Sequence, residues 1–348
     1  MSLMADAASE TCCPTRRRVW TDPWRWVPIS ATLVGTAGWW WPSAAGVSRV
    51  YLENLRMIAP PFAFGLLLGG VVDHLVPKAF IVRWLSGPRK RVITRATLLG
   101  MLASSCSHGC LALALELYRK GASVPAVISF LLASPWASLP LTVMLVSLFG
   151  LNGVAIVVVA MVIAWVTGVV FQQLARRGWI ESNPHTGAVE TERPESADLI
   201  AHWRGYRWSR RQAGQDVRAI LRATVPLGRM VLGWVQAGLI LSAVVGALLP
   251  QHAMMRYLGP SAGGLLSTLA LATVLEVCSE GTAPLAFELY RHTGALGNAF
   301  ALLMAGVVTD YTELGALWTT VGRRTVGWLL AVALPLVLLA GWALNQWR

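Results

Sequence analysis

The sequence predicts an all-α integral membrane protein built from two repeated halves. Three observations support this fold class: long stretches without ionisable residues, a low content of charge, and motifs that recur at a nearly constant distance. Hydrophobic residues make up 55% of the 348 positions and charged residues 13%, against roughly 25% charged residues in soluble domains. Residues 124–149 contain no ionisable side chain and are long enough, as a helix, to cross a bilayer core of about 30 Å.

The same pattern extends along most of the chain. Apolar segments lie at 27–42, 55–77, 93–118, 124–149, 151–175, 227–250, 262–290, 295–321 and 325–346, and Trp residues lie near several of their ends, as in interfacial aromatic belts. We therefore expect a basic N-terminal tail (1–26), a first membrane half (27–175, repeat core 55–175), an arginine-rich linker (176–226) and a second membrane half (227–348). Within the linker, 198–222 is either an amphipathic helix on the membrane surface or a disordered loop.

The charge and cysteine content exclude several classes of protein. The net charge of +12 does not indicate a nucleic-acid partner, because Arg and Lys cluster between apolar segments, as in loops that stay cytoplasmic. The expected partners are the lipid bilayer and a transported ion or small molecule, and the sequence leaves the oligomeric state open. No phosphate-binding glycine loop, C-x-x-C pair or H-E-x-x-H motif is present, so we expect no cofactor and no enzyme activity. Cys12 and Cys13 lie in the basic tail and are assigned no role.

The repeat is visible residue by residue. Residues 65–77 align with 238–250, and seven of these 13 positions are identical at an offset of 173. Further along, Cys106-Ser-His-Gly matches Cys278-Ser-Glu-Gly, and Glu116-Leu-Tyr-Arg matches Glu288-Leu-Tyr-Arg, both at an offset of 172. Polar motifs at one shared offset are more specific than apolar matches, which membrane segments show by composition alone.

Loop charge predicts how the halves are oriented. Residues 78–95 carry six Lys or Arg, whereas the equivalent 251–268 carry only Arg256. The turn at 150–153 is uncharged, but its equivalent carries Arg323 and Arg324. The positive-inside rule places 78–95, 176–226 and 323–324 in the cytoplasm, so the repeats are predicted to be inverted, as in many secondary transporters.

Inverted repeats have a consequence for the segments that carry the Cys-Ser-X-Gly motifs. Segments 93–118 and 262–290 must each enter and leave on one face, as re-entrant hairpins or broken helices from opposite sides. The alternative is a pair of parallel repeats with full-length spans, which would place the arginine-rich linker outside. We expect a multi-pass protein of the bacterial cytoplasmic (inner) membrane with its N-terminus in the cytoplasm.

The cysteines of the repeated motif are the first candidates for substrate binding. Cys106 and Cys278 occupy equivalent positions, and thiolates select soft metals, with trivalent arsenic similarly thiophilic. Cys110 lies one helical turn after Cys106 and would add a third sulfur. The alternative for each is a free cysteine that only packs in an apolar interior.

Ionisable residues inside the apolar segments are the second group of candidates, because burying their charge is costly. His108 and Glu280 form an equivalent pair in the two motifs, and Glu276, Asp310 and Glu313 are further acids of the second half. Glu116 and Glu288 are either functional or paired with the arginines three residues later. Ser134 and Pro135 interrupt segment 124–149, together with Ser138-Leu-Pro140, and there they either shape a cavity or form a tolerated kink.

These motifs resemble one known family. The segments 106–109 (Cys-Ser-His-Gly), 119–122 (Arg-Lys-Gly-Ala) and 130–135 (Phe-Leu-Leu-Ala-Ser-Pro) are similar to the bacterial predicted-permease family, as are 277–284 and 306–310 in the second half. That family includes exporters of trivalent organoarsenicals and proposed exporters of copper or zinc. The resemblance covers about residues 50–346 and implies roles for Cys106 and Cys278, and for Glu280 and Asp310. This chain departs from the family at His108, where a second cysteine is usual, and at Thr282, where an aspartate is common.

The sequence thus predicts a permease that exports a thiophilic metal, metalloid or organometalloid through a site between the halves. Two alternatives stay open: a membrane thiol-disulfide redox protein that uses the three cysteines of the apolar segments, and a passive pore or assembly partner.

Overall fold

The computed structural model describes residues 23–75, 92–102, 107–185, 210–275 and 279–346. Fourteen helices and one 3₁₀ turn (Pro42–Ala44) occupy these ranges, and no strand occurs within them. The helices are α1 (Pro23–Trp40), α2 (Ala45–Leu75), α3 (Val92–Leu102), α4 (Ser107–Arg119), α5 (Val124–Trp136), α6 (Leu139–Phe149), α7 (Leu151–Arg176), α8 (Arg210–Leu248), α9 (Gln251–Leu258), α10 (Ala262–Leu275), α11 (Ser279–Thr293), α12 (Leu296–Val308), α13 (Tyr311–Thr320) and α14 (Arg323–Gln346).

Several of these helices have the length and composition needed to cross a membrane. In the described part of the chain, Leu151–Arg176, Leu296–Thr320 and Arg323–Gln346 each pass both criteria. Two bent pairs, Val124–Trp136 with Leu139–Phe149 and Leu232–Leu248 with Gln251–Leu258, raise the number of candidate spans to five. The prediction of an all-helical, multi-pass membrane protein is therefore confirmed.

In the described ranges, breaks divide two of the predicted apolar segments into two helices each. In segment 124–149, α5 and α6 meet at an angle of 47°. Ser138 begins α6 because its side chain accepts a hydrogen bond from the Leu141 N–H, and Pro140 fits the first turn, where no N–H partner is required. In segment 295–321, α13 begins at Asp310 in the same way. Segments 93–118 and 262–290 each include residues outside the described ranges, 103–106 and 276–278 respectively.

The centre of the molecule is formed by α5 and α12, which contact each other. Every residue of both helices is buried. Around them, α3, α4 and α7 contact α5, and α10, α11 and α14 contact α12. The break after α5 lies in the interior, because residues 134–138 are all buried, whereas the break after α12 is partly exposed, with Tyr311 68% exposed.

The helix α8 begins at Arg210 and continues to Leu248 without interruption. Residues 210–222, predicted as part of a surface helix or a loop, form the first turns of α8, and 198–209 lie outside the described residues. The predicted linker boundary at 226 therefore lies inside a helix. α8 has its most extensive contacts with α2. Two buried hydrogen bonds join them: Tyr51 Oη donates to Gln236 Oε1 (2.9 Å) and Asn54 Nδ2 to Ser242 Oγ (3.0 Å).

Residues 177–185 form a strap that ties α7 to two other elements. The Glu181 carboxylate accepts bonds of 2.9 Å from the Arg324 N–H, the Thr325 N–H and the Thr325 hydroxyl, so it caps α14. Asn183 Nδ2 donates to the carbonyls of Tyr118 and Ala122, both at 2.7 Å, which holds the end of α4. Partial burial raises the pKa of the Glu181 carboxyl, but these hydrogen bonds, together with one from its own N–H, outweigh burial and lower the pKa below its ordinary value.

Candidate functional site

The break between α5 and α6 contacts the first turn of α11. Glu280 is 1% exposed and its Oε1 accepts a hydrogen bond from Ser138 Oγ at 3.2 Å. Ser279 Oγ lies 3.1 Å from the Pro135 carbonyl oxygen and 3.5 Å from Glu280 Oε2, so its single proton serves one acceptor at a time. An acid in the first turn of a helix is also favoured by the helix dipole. A residue of the second Cys-Ser-X-Gly motif thus meets the proline break of the first half.

The neighbourhood of this break contains polar atoms without partners. Ser134 is fully buried, and its Oγ has no hydrogen-bond partner among the described residues. The same holds for Trp136 Nε1, in the last turn of α5. Buried polar groups are nearly always satisfied in proteins, so a cluster of unsatisfied ones indicates a place for water, an ion or a substrate. We name Ser134, Pro135, Ser138, Ser279 and Glu280 the central site.

Close helix contacts hold the central site in place. On one side, Gly100 of α3 approaches the end of α5 so closely that an added Cβ would lie 2.8 Å from the Ala133 Cβ. On the other, a Cβ added to Gly238 of α8 would overlap the Gly281 carbonyl. Ser242 of α8 then donates to the Pro284 carbonyl at 3.1 Å. The helix before the first Cys-Ser-X-Gly motif and the helix that begins with Ser279 of the second are therefore packed closely beside the site.

The other predicted site residues fall into two groups. Cys106, Cys278 and Glu276 lie outside the described residues, and His108 lies in the first turn of α4 with a side chain that is not described. Cys110, on the same helix, is fully buried. Within the ranges that are described, no group of three His, Cys, Asp or Glu side chains could hold a metal ion. The sulfur ligand set therefore stays a prediction.

Asp310 and Glu313 lie at the break of the second half, at a place equivalent to Ser138 and Leu141. Asp310 Oδ1 accepts from the Thr312 N–H (2.8 Å), the Thr312 hydroxyl (2.6 Å) and the Glu313 N–H (3.2 Å), so it caps α13. Glu313 is 3% exposed, and its Oε1 has no partner in the described ranges. Asp310 therefore has a structural task, whereas Glu313 brings a buried and incompletely satisfied acid to the second break.

Glu288 is a buried acid whose partner the sequence did not identify. We considered an ion pair with Arg291 three residues later, but Arg291 instead pairs with Glu53 of α2, at 3.0 Å. Glu288 is fully buried and its Oε1 lies 2.9 Å from His292 Nε2. In the first half Glu116 likewise pairs with the residue four positions later, Lys120, at 3.2 Å. The sequence signal for both pairs is the i,i+4 spacing, which brings two side chains together on one face of a helix as the i,i+3 spacing does.

An apolar groove of about 470 Å³ lies between α3, α6 and α7. Its lining includes Met101, Thr142, Met161 and Trp165, and no ionisable residue takes part in it. Such a surface suits lipid chains or an apolar molecule and does not suit a free cation. The groove is therefore separate in character from the polar central site.

Apolar helices of spanning length around a buried, incompletely satisfied polar break define a multi-pass membrane protein of the transporter class. A family model described as "Predicted permease" matches residues 48–346, and the chain belongs to this family. The chain is also 26% identical over 249 residues to the Mycobacterium tuberculosis protein named "Putative permease Rv2963". That match covers 67% of this chain and 60% of the relative's length. No solved structure matches the chain significantly.

Proposed function

We propose that this permease exports a thiophilic metal, metalloid or organometalloid across the bacterial inner membrane. In this proposal the substrate binds at the central site, between the two halves of the chain. The observation that carries it is the buried Glu280 carboxylate, hydrogen-bonded across the halves to Ser138, next to the end of α5 where Ser134 Oγ and Trp136 Nε1 have no described partner.

The sequence around this carboxylate supplies the soft ligands. Cys278 precedes Glu280 by two residues, and Cys106 precedes the buried Cys110 by four. Thiolates bind soft metals and trivalent arsenic, while a nearby carboxylate balances the positive charge of a metal ion. His108 stands at the position equivalent to Glu280 and adds an imidazole to the proposed ligand set.

The contacts of α7 support inverted repeats. At its C-terminal end, Glu181 caps α14, which is the helix equivalent to α7, and Asn183 holds the carbonyl of Tyr118 at the end of α4. At its N-terminal end, Asn152 Nδ2 donates to the hydroxyl of Tyr290, the residue equivalent to Tyr118. A helix of this length spans about 39 Å. The equivalent ends of α4 and α11 thus lie at opposite ends of one spanning helix.

The pair of α2 and α8 supports the same arrangement. Gly46, near the start of α2, contacts Ala247 near the end of α8, whereas Gly70 contacts Thr224. These two helices contain most of the aligned segments, residues 65–75 and 238–248, and they run antiparallel. Parallel repeats related by an axis along the membrane normal would instead require equivalent helices to run in the same direction.

A transport assay tests the proposed substrate class. Everted membrane vesicles from a bacterial host that lacks its own arsenic export would be incubated in phenylarsine oxide, with Cu(I) and Zn²⁺ as separate arms. We expect energised vesicles with the parent protein to accumulate one of these substrates. Cys106→Ser and Cys278→Ser should abolish the accumulation, because they remove the soft ligands. The matched control is the Cys12→Ser/Cys13→Ser double variant, which should transport like the parent.

Equal accumulation by the parent and both motif variants would exclude a thiol mechanism. If the parent accumulates none of the three probes, the proposed substrate class is excluded. The redox protein and the passive pore or assembly partner would then be the remaining alternatives.

Cysteine labelling tests the orientation of the halves. Asn152 and Arg324 are exposed and equivalent at the offset of 172. With an impermeant thiol reagent, and above the background of the parent, we expect Asn152→Cys to react from outside and Arg324→Cys from the cytoplasm. Reaction of both from one face would establish parallel repeats.

A further inference from the structure

We propose that Glu288 and His292 form a proton-binding site that couples inward proton movement to export. This inference rests on the proposed function for the direction of transport and for the placement of the end of α11 at the outer face. Glu288 and His292 lie eight or more positions along the chain from Glu280 of the central site, and their proposed ligand is a proton.

One oxygen of the Glu288 carboxylate lies next to the His292 imidazole, and the other has no partner in the described part of the chain. Glu288 Oε1 lies 2.9 Å from His292 Nε2, and Oε2 is buried without a partner among the described residues. The Glu288 side chain is 0% exposed and that of His292 is 22% exposed. His292 therefore connects an interior carboxylate with the surface, and its Nε2 is within hydrogen-bond distance of Oε1, the oxygen that accepts the proton.

The charged groups around the pair are few. α11 contacts α6, α8, α9 and α12. α6, α12 and the stretch 232–248 of α8 contain no ionisable side chain, and α9 contributes His252, Arg256 and Tyr257. The α2 and α7 neighbours add the Glu53–Arg291 ion pair and the uncharged Asn152. Among the described groups, the Glu288 carboxylate thus has His292 as its own ionic partner.

One proton moves from the outer face through His292 to Glu288 in two steps. A hydronium ion at the outer face gives a proton to His292 Nδ1 and becomes water; Nε2 already carries a hydrogen, so the ring becomes an imidazolium. The Nε2 proton then passes to Glu288 Oε1, which leaves a neutral carboxylic acid and a neutral imidazole protonated on Nδ1. Imidazole is the side chain that proteins commonly use for such steps near neutral pH.

α8 provides a mechanical link between this pair and the central site. Gly238 lies against the Gly281 carbonyl, Ser242 bonds to Pro284, and a Cβ on Gly246 would overlap Glu288 Oε1. Eight residues separate Gly238 from Gly246, and eight also separate Glu280 from Glu288, a rise of about 12 Å in each helix. The two helices therefore run parallel and in register, so a shift of α8 moves the surroundings of both acids together.

Proton flux in liposomes tests the coupling. The full-length protein would be reconstituted with a pH-sensitive dye in the lumen, and phenylarsine oxide would be added. We expect the parent to show proton flux that depends on the arsenical. Glu288→Gln and His292→Gln should lose that flux and lose gradient-driven accumulation, while exchange of labelled for unlabelled arsenical without a gradient persists. Glu116→Gln, at the equivalent place in the first half, should behave like the parent.

A second measurement separates this inference from the proposed substrate. Infrared difference spectra of the purified protein across a pH series should show the C=O stretch of a protonated acid, absent in Glu288→Gln. His292→Gln should shift the pH at which it appears. Arsenical-dependent proton flux retained in both variants, or a titration unchanged in Glu288→Gln, would overturn the proton site. If no arsenical is transported but the Glu288-dependent titration is seen, the substrate proposal fails and the proton site stands.

Discussion

The two Glu-Leu-Tyr-Arg segments, 116–119 and 288–291, have the same sequence and opposite environments. Glu116 is 51% exposed and pairs with Lys120, itself 53% exposed. Glu288 is fully buried and pairs with His292. The motif therefore does not determine whether its glutamate is buried or what it pairs with. Burial depends on what packs on the helix, and the partner is the residue four positions later.

The two segments differ in the helix that packs over their glutamate, and one glycine permits this packing at Glu288. Gly246 allows α8 to lie directly against the Glu288 carboxylate. At the offset of 173, the equivalent residue of the first half is Asp73, and α2 makes its main contacts with α6 and α8. A glycine is the residue that permits such a close approach of backbone and side chain, because it has no Cβ.

The strongest test of this comparison is a charge reversal in both segments. We expect Glu288→Lys to destabilise the protein by about 3–5 kcal/mol, because a buried ammonium would face His292 with no counter-ion. Glu116→Lys should cost only about 0–1 kcal/mol, because solvent screens the exposed position. Thermal unfolding of the detergent-purified variants measures the difference. Equal shifts for the two variants would show that burial does not distinguish the segments.

A smaller effect is expected from closing the space that Gly246 leaves. Gly246→Ala should destabilise the protein by about 1–3 kcal/mol, because the added methyl overlaps Glu288 Oε1 and the helices must separate. Gly315 of α13 is the control, since nothing lies within 4 Å of an added Cβ there. Gly315→Ala should be neutral or stabilising by up to about 1 kcal/mol. A Gly246→Ala variant as stable as the parent would contradict the close contact of α8 with Glu288.

The smallest effect concerns the strap that holds the first-half segment. The pKa of Glu181 is lowered in the folded protein, so its ionised form stabilises the fold at pH values above the unfolded pKa, roughly 4.3. This stabilisation is lost as the pH falls through the folded pKa. Glu181→Gln should cost about 1 kcal/mol at neutral pH, as for the loss of a helix cap. The parent and the variant should converge in acid. The exposed neighbour Ser182 supplies the control, Ser182→Ala, which should leave stability unchanged at both pH values. A difference between parent and Glu181→Gln that grows in acid would refute the capping role.

Much of the framework was predictable because it depends on local composition. The permease class follows from apolar segments of spanning length and is confirmed by membership in the family. The division of segment 124–149 follows from Pro135 and Pro140, which remove backbone donors. The contacts of the acids were not predictable in the same way: Asp310 caps α13, and Arg291, the alternative partner of Glu288, pairs with Glu53 instead.

By itself, the sequence determined the membrane class, most helix positions and the family, because hydropathy, helix length and proline act over a few neighbouring residues. Only the tertiary structure decided which carboxylates are buried and what they face. Ser138 and Glu280 are 142 positions apart, and Arg291 and Glu53 are 238 apart. Such contacts arise from the packing of α8 against α2 and of α6 against α11, and packing depends on the joint shape of helices that no local pattern records.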